Sequence, residues 1–545
     1  MKHAALFLMT AFVSVAVLVQ PVMAQENFED FIKKSRKDFD ELKKDADKEF
    51  ETLRNSMDKE FAATLDQAWK ELELNTGRKF DTTPKPDTPP VARPEPQAPE
   101  KEPAKPPVEK PPVKPPEKPQ ETRVPEEKPA PKPPEEKPQV KEVEKPTVKE
   151  AVKPTPAPPT PAPTAPPRER KAAPPEAPEG EPLSIVFYDT PVTLTYDKGM
   201  KIDIGSAVSD KSIGTYWMAM SERKYLPLLK QIIALKEQFA LNDWGYCLLL
   251  DTIAQGVYGR PTNSRNLFVW FMLIQSGYDA RIGYSENRVY LLIPSKNQLF
   301  SVPFYELSNI TYYIASLGGE PESVKSLYTY EGTHKGSEKQ LDMNVYRPPA
   351  INKKVAQKEQ RFSYYDKEYR VPVAYNANII DYYKFYPQTN LDVYFDASIS
   401  PESAQVLLDG LQPLIKGKSE VDAVNMLLRF VQVSFAYKTD DEQFQHEKHL
   451  FVEETLFYPF CDCEDRSFLF AFLVNRLMGL DVIGLHYPGH VATAVKFNTD
   501  VKGDFVTFNN SRYIICDPTY INANYGECMP KFKTVEPKVV PVKLN

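Results

Sequence analysis

The stretch from Thr82 to Pro182 holds 34 of the chain's 53 prolines and contains no Phe, Tyr, Trp or Cys. Such a stretch has nothing with which to bury a core, and each proline removes a backbone donor. It divides the chain, because whatever folds must do so before it or after it. Steps such as EKPPVKPPEKPQE favour polyproline II at about 3.1 Å per residue, so we expect residues 81–182 to be a disordered linker reaching up to ~300 Å. A Pro-reading partner domain is a second use for such a sequence. All five cysteines and most aromatic residues follow it. What remains beyond Pro182 is long enough for two domains or one large one. A net charge of −7 and the absence of a sustained basic patch argue against nucleic acid as a partner.

Two segments precede the linker. Met1 to Ala24 has a short charged start (Lys2, His3), an apolar run from Ala4 to Val19, and Val22-Met23-Ala24 before Gln25. That pattern predicts a signal peptide over 1–24 and export across the inner membrane to the periplasm or cell envelope. From Phe28 the chain repeats every eleven residues: FEDFIKKSRKD, FDELKKDADKE, FETLRNSMDKE, FAATLDQAWKE, with LELNTG opening a fifth copy. Phe28, Phe39, Phe50, Phe61 and Leu72 mark the period. Eleven residues in three turns is close to the helical repeat, so a narrow apolar stripe persists along an amphipathic helix predicted over 25–80. The stripe needs a partner: a second copy, a membrane surface, or a groove on the globular part. Its mixed charge favours self-association.

The chemistry lies near the C-terminus, in PFCDCEDRSFLFAFLVNRLMGLDVIGLHYPGHVATAV and YIICDPTY. Cys463 stands just before an apolar run at helical spacing (Phe468, Leu469, Phe472, Leu473, Leu477), which places it at a helix N-terminus. The N–H groups and dipole there favour a thiolate, while Asp462, Glu464 and Asp465 oppose it. Short strands follow at Val482–Leu485, His490–Phe497 and Tyr513–Cys516. A Cys on a helix facing a His and an Asp on neighbouring strands has the parts of a thiol nucleophile, its base and the group orienting that base. Two other readings use the same residues. Cys463 could be half of a disulfide, with Cys247, Cys461, Cys516 and Cys528 as available partners. Cys461, Cys463, His490 and Cys516 could instead bind zinc, although C-x-C is a poor ligand pair. We expect neither metal nor cofactor.

Over roughly Ser419 to Tyr520 this order and spacing resemble the transglutaminase-like, papain-related superfamily. By the resemblance, Cys463 matches the nucleophile of a Gly-x-Cys-x-Asp pattern, His490 the base of a Gly-His pattern, and Asp517 the acid of an Asp-Pro-Thr pattern. Two positions depart: Cys461 stands where the family has Gly, and Ala492 where an aromatic is common. The resemblance implies a catalytic triad of Cys463, His490 and Asp517 performing acyl transfer on a peptide or protein substrate. Hydrolysis by a cysteine peptidase or amidase and cross-linking to an amine both remain open. So does a non-catalytic envelope scaffold that binds peptides. The backbone N–H of Cys463 is a natural oxyanion donor; Tyr458 and Gln445 are guesses for the second.

TNSRNLFVWFMLIQSGYDARIGY can be laid on CEDRSFLFAFLVNRLMGLDVIGL, and LFSVPFY on IICDPTY. Thr262, Arg288 and Val302 then stand where Cys463, His490 and Asp517 do. We therefore expect an α+β protein containing a Cys-helix plus antiparallel sheet, duplicated. The divisions are a degenerate unit over 183–345, a β-rich connection over 346–418 and a catalytic unit over 419–545. Within the connection, Tyr-rich alternation over Phe362–Phe395 reads as strands, whereas Ser400–Ile415 and Glu420–Phe435 read as helices.

Overall fold

The computed structural model describes residues 25–67, 69–81, 83–95, 180–259, 263–319 and 324–543. The expected signal peptide, most of the linker and Thr262 lie outside the described residues.

The arm begins as one helix, Gln25–Leu65. The eleven-residue stripe meets two different environments along it. Phe39, Leu42, Phe50 and Leu53 are exposed, whereas Phe61, Ala62 and Leu65 are buried. Phe61 enters an aromatic cage of Trp217, Trp270, Tyr330 and His334. One turn earlier, buried Asp58 accepts from Gln275, Tyr225 and His334. A groove on the globular part is thus the partner of the last repeat. The fifth repeat is not helical. Lys70–Glu73 forms strand β1, paired antiparallel with a strand of the globular part (Leu72 opposite Leu327). Its polar–apolar alternation suits an edge strand, and that pairing overrides the helical period.

Beyond the linker, β2 (Glu181–Phe187) and β3 (Thr190–Tyr196) form a hairpin. Helices Asp210–Ser221, Leu226–Gln238, Asp243–Tyr258 and Asn263–Gln275 follow. The last is buried nearly all round, as expected of a helix packed on both sides. It leads into β4 (Arg281–Ser285), β5 (Arg288–Pro294), β6 (Phe304–Leu307), β7 (Ile310–Ile314) and β8 (Ser326–Thr329). With β1 these make a sheet of order β1-β8-β4-β5-β7-β6.

In the connection, β9 (Val355–Tyr364) and β10 (Lys367–Asn376) pair through Tyr365-Asp366, both at positive φ as a tight hairpin turn requires. The remaining Tyr-rich residues expected as strands are helical, Ala377–Tyr383 and Leu391–Phe395. Asn376 caps the first of these by accepting from Asn378 N, and Ile379, Ile380, Tyr382 and Tyr383 bury along it. Helices Pro401–Ile415 and Glu420–Ser434 come next.

The C-terminal part pairs β11 (Ala436–Tyr437) with β12 (Phe460–Cys461), then runs the helix Cys463–Met478. β13 (Asp481–Tyr487), β14 (His490–Lys496), β15 (Phe505–Phe508), β16 (Ser511–Cys516) and β17 (Lys538–Pro541) complete a sheet of order β15-β16-β14-β13-β17. The first sheet runs β6-β7-β5-β4-β8 over its corresponding strands. Helix, hairpin, hairpin and flanking strand therefore follow in the same connectivity twice. Ser285 faces Arg288 across the first turn as Tyr487 faces His490 across the second, so Arg288 does occupy the place of His490. The counterpart of Asp517 is different. β16 corresponds to β7, and continuing each register one residue past Ala315 and Cys516 puts Ser316, not Val302, at that place. Val302 instead precedes β6. The likeness of LFSVPFY to IICDPTY is a chance match of side chains between non-equivalent strands.

Candidate active site

Cys463 is the first residue of its helix, with Asp462 as the cap. The Asp462 N–H donates to Asp465 Oδ2 (3.2 Å), and Asp465 Oδ1 accepts from Leu450 N (2.8 Å), which fixes the helix start. Arg466, fully buried, donates to the carbonyls of Gln432 and Phe435 and ties the helix to the end of the helix Glu420–Ser434. Arg265 in the first half likewise reaches back to Asp251 on the preceding helix.

His490 opens β14 after the two-residue turn Pro488-Gly489. Its Nε2 lies 2.9 Å from Asp517 Oδ2, both side chains being almost wholly buried. Asp517 Oδ1 accepts from the N–H groups of Thr519 and Tyr520. The loop that carries it is held by Gln432, whose amide donates to the carbonyls of Asp517, Tyr520 and Ala523. Phe532 stacks on the imidazole at 5.2 Å with the rings 5° from parallel. One hydroxyl joins the two halves of the site. Ser467 Oγ lies 2.8 Å from the Cys463 carbonyl and 3.0 Å from that of Val491, next to His490.

The Cys463 thiol itself donates to Glu464 Oε2 (2.9 Å), and among the described residues no hydrogen bond joins it to His490. Burial first, then the Glu464 and Asp462 carboxylates, push this thiol well above its ordinary pKa, against the pull of Lys85. The helix N-terminus does not prevail over burial and two acidic neighbours, so the thiol keeps its proton and gives it to Glu464 in a hydrogen bond. All five cysteines are free, which removes the disulfide reading. The alternative zinc set of Cys461, Cys463, His490 and Cys516 does not converge either. Cys461 donates to Ala436 O, and the described groups able to surround a cation are Asp440, Glu447 and His449; Asp462, Cys463 and Glu464; and Asp440, Asp462 and Asp465.

Neither guess for the second oxyanion donor reaches Cys463 through a hydrogen bond. Gln445 closes the helix Asp440–Phe444 in a left-handed conformation, and the ring of Tyr458 packs edge-on against Phe444. Tyr437, overlooked in the sequence, is better placed. Its hydroxyl is buried without a partner, burial first and then Cys463 push its pKa up, and Arg466 covers its ring at 5.3 Å.

The other residue that sequence reasoning missed is Lys85, inside the expected linker. Its Nζ lies 2.6 Å from Asp462, 2.7 Å from Glu447, 3.1 Å from Glu464 and 3.7 Å from Asp440. Burial would discharge it, but the Asp462 and Glu464 carboxylates hold its pKa well above the usual lysine value. No single spacing rule could have found it, because the four acids come from three separate segments far along the chain.

Comparison of the chain with family models, with curated proteins and with solved structures finds no match.

Proposed function

We propose that the chain is an exported thiol hydrolase of the transglutaminase-like, papain-related kind, acting on peptide or amide bonds, with Cys463 as nucleophile, His490 as base and Asp517 as its orienting acid. The observation that carries this reading is the buried His490–Asp517 pair, with His490 on the strand that Ser467 joins to the Cys463 helix. Asp517 engages Nε2 and leaves Nδ1 to serve the thiol. His490 takes the Sγ proton, the thiolate adds to the carbonyl carbon, and the C–N bond breaks as His490 returns the proton to the departing amine. Water then cleaves the thioester and restores the thiol. The Cys463 N–H and the Tyr437 hydroxyl are the candidate donors to the carbonyl oxygen. The shared connectivity of the two sheets supports an internal duplication in which the first copy, with Arg288 and Ser316 at the equivalent positions, lacks the triad.

A peptide-binding scaffold is the second reading, favoured by the protonated, Glu464-bonded state of Cys463. Alkylation by iodoacetamide, located by mass spectrometry, separates the two. A hydrolase should lose labelling of Cys463 by about 10²-fold or more in His490→Ala. Labelling indifferent to His490 would favour the scaffold.

A further inference from the structure

Residues 76–81 and 83–95 lie across the Cys463 face as a strap, and its passage is built into both halves of the protein. Gly77 presses against the backbone of Ser301, where a Cβ would come within 2.4 Å. Phe80 stacks on His486 and meets His449 edge-on. Asp81 Oδ2 accepts from the Gly489 N–H (2.6 Å), beside His490. A Cβ on Gly489 would meet Thr83 at 2.8 Å, so this turn has no room for a side chain while the strap is in place. After Lys85, Val91 bridges to Ile521, and Asn522 Nδ2 donates to Arg93 O.

Lys85 shows what this face recognises. Its side chain is 9% exposed and its ammonium is shared among four carboxylates. None of the four belongs to the strap: Asp440 begins a short helix, Glu447 lies in the loop after it, and Asp462 and Glu464 bracket the nucleophile. The negative pocket is therefore a property of the globular part. Whenever the strap is elsewhere, that pocket holds more buried negative charge than it can keep ionised, and a cation entering it recovers the interaction. A strap that only fastened the arm would not need to place a lone ammonium against the catalytic cysteine.

We propose, on the strength of the thiol hydrolase reading, that residues 76–95 are a built-in substrate mimic closing the active site. The Asp440, Glu447, Asp462 and Glu464 pocket is then the recognition pocket for a lysine-type ammonium side chain of the true peptide substrate. Closure is reversible, since the strap is non-covalent and continues into the linker.

The pocket is tested apart from the chemistry, in full-length protein lacking the thiol. The doubly substituted Cys463→Ala, Lys85→Ala chain should bind Nα-acetyl-lysine methylamide by calorimetry. It should bind the Nε-acetylated form at least about tenfold more weakly, because only the charged ammonium can satisfy the acids. Equal binding of the two forms, or uptake of a divalent cation with no lysine amide binding, overturns the proposal. Absence of hydrolysis in the wild type would bear only on the enzymatic reading. Closure is tested with the thiol present. Phe80→Ala keeps the ammonium but removes the strap's ring contacts, and it serves equally if Lys85→Ala fails to fold. Iodoacetamide should reach its Cys463 about tenfold faster than in wild type; an unchanged rate overturns the strap's closing role.

Discussion

Lys85 and the acids around it set a proton balance that can be read from their positions. Burial pushes Glu447 up to about 7, and burial with the Glu464 charge pushes Asp462 up to about 6; Lys85 opposes both rises. Glu464 is held down to about 2, Lys85 and the Asp462 and Cys463 hydrogen bonds outweighing its burial. Buried Asp440 is raised, and His449 is lowered to about 3, so the imidazole adds no charge near neutral pH. Withdrawing Lys85 removes the influence that keeps Glu447 and Asp462 acidic, so the open state binds more protons than the closed one. By linkage, opening becomes easier as pH falls. Closure is firmest above the higher open-state pKa values of these acids and weakens as pH falls towards about 7 for Glu447 and about 6 for Asp462, with Glu464 still ionised. Hydrogen exchange of the strap and of the Gly489 amide, corrected for the intrinsic rate, should therefore be faster at about pH 5.5 than at about pH 8. Protection that increases on acidification would contradict this assignment of the clamp.

Along the arm, one repeat unit performs two jobs, and the difference is a matter of packing. Phe61 and Phe39 occupy the same position of the eleven-residue period, yet the first is 2% exposed and the second 65%. Phe61→Ala should destabilise the folded chain by about 3–5 kcal/mol in denaturant titration, because it empties an aromatic cage. Phe39→Ala should shift the same curve by no more than about 0.5 kcal/mol. A similar effect at both sites would mean that Phe61 is not docked as described. The period itself was legible, since helical spacing depends on local sequence alone. Where the helix stops was not: Lys70–Glu73 leaves the helix because an unpaired sheet edge is there to receive it, and that edge is made more than two hundred residues later. The helix start at Cys463 and the strands after it were legible for the same local reason. Lys85 and Tyr437 were not, because what distinguishes them is the company brought by distant segments.

For the molecule as a whole, the composition of the proline-rich stretch suggests an arm that hangs free, yet everything described before Ala98 belongs to the same compact unit as the region from Pro178 onward. The arm is attached in three successive ways. The end of its helix buries Phe61, Ala62 and Leu65, β1 adds a strand to the first sheet, and the strap reaches the second half at Ile521 and Asn522. Each buried large side chain contributes about 1.5–3 kcal/mol, so the attachments together should outlast loss of the covalent tether at micromolar concentration. A protease site engineered between Pro99 and Ala177 therefore offers a decisive check. After cleavage, the fragment bearing residues 25–98 should co-elute with the remainder on size exclusion and separate only in denaturant. A fragment that leaves in native buffer would show that the strap and helix dock only because the linker holds them near. Retention would mean that cutting the linker alone cannot activate the protein, and that opening requires a competitor for the Lys85 pocket or a change in its protonation.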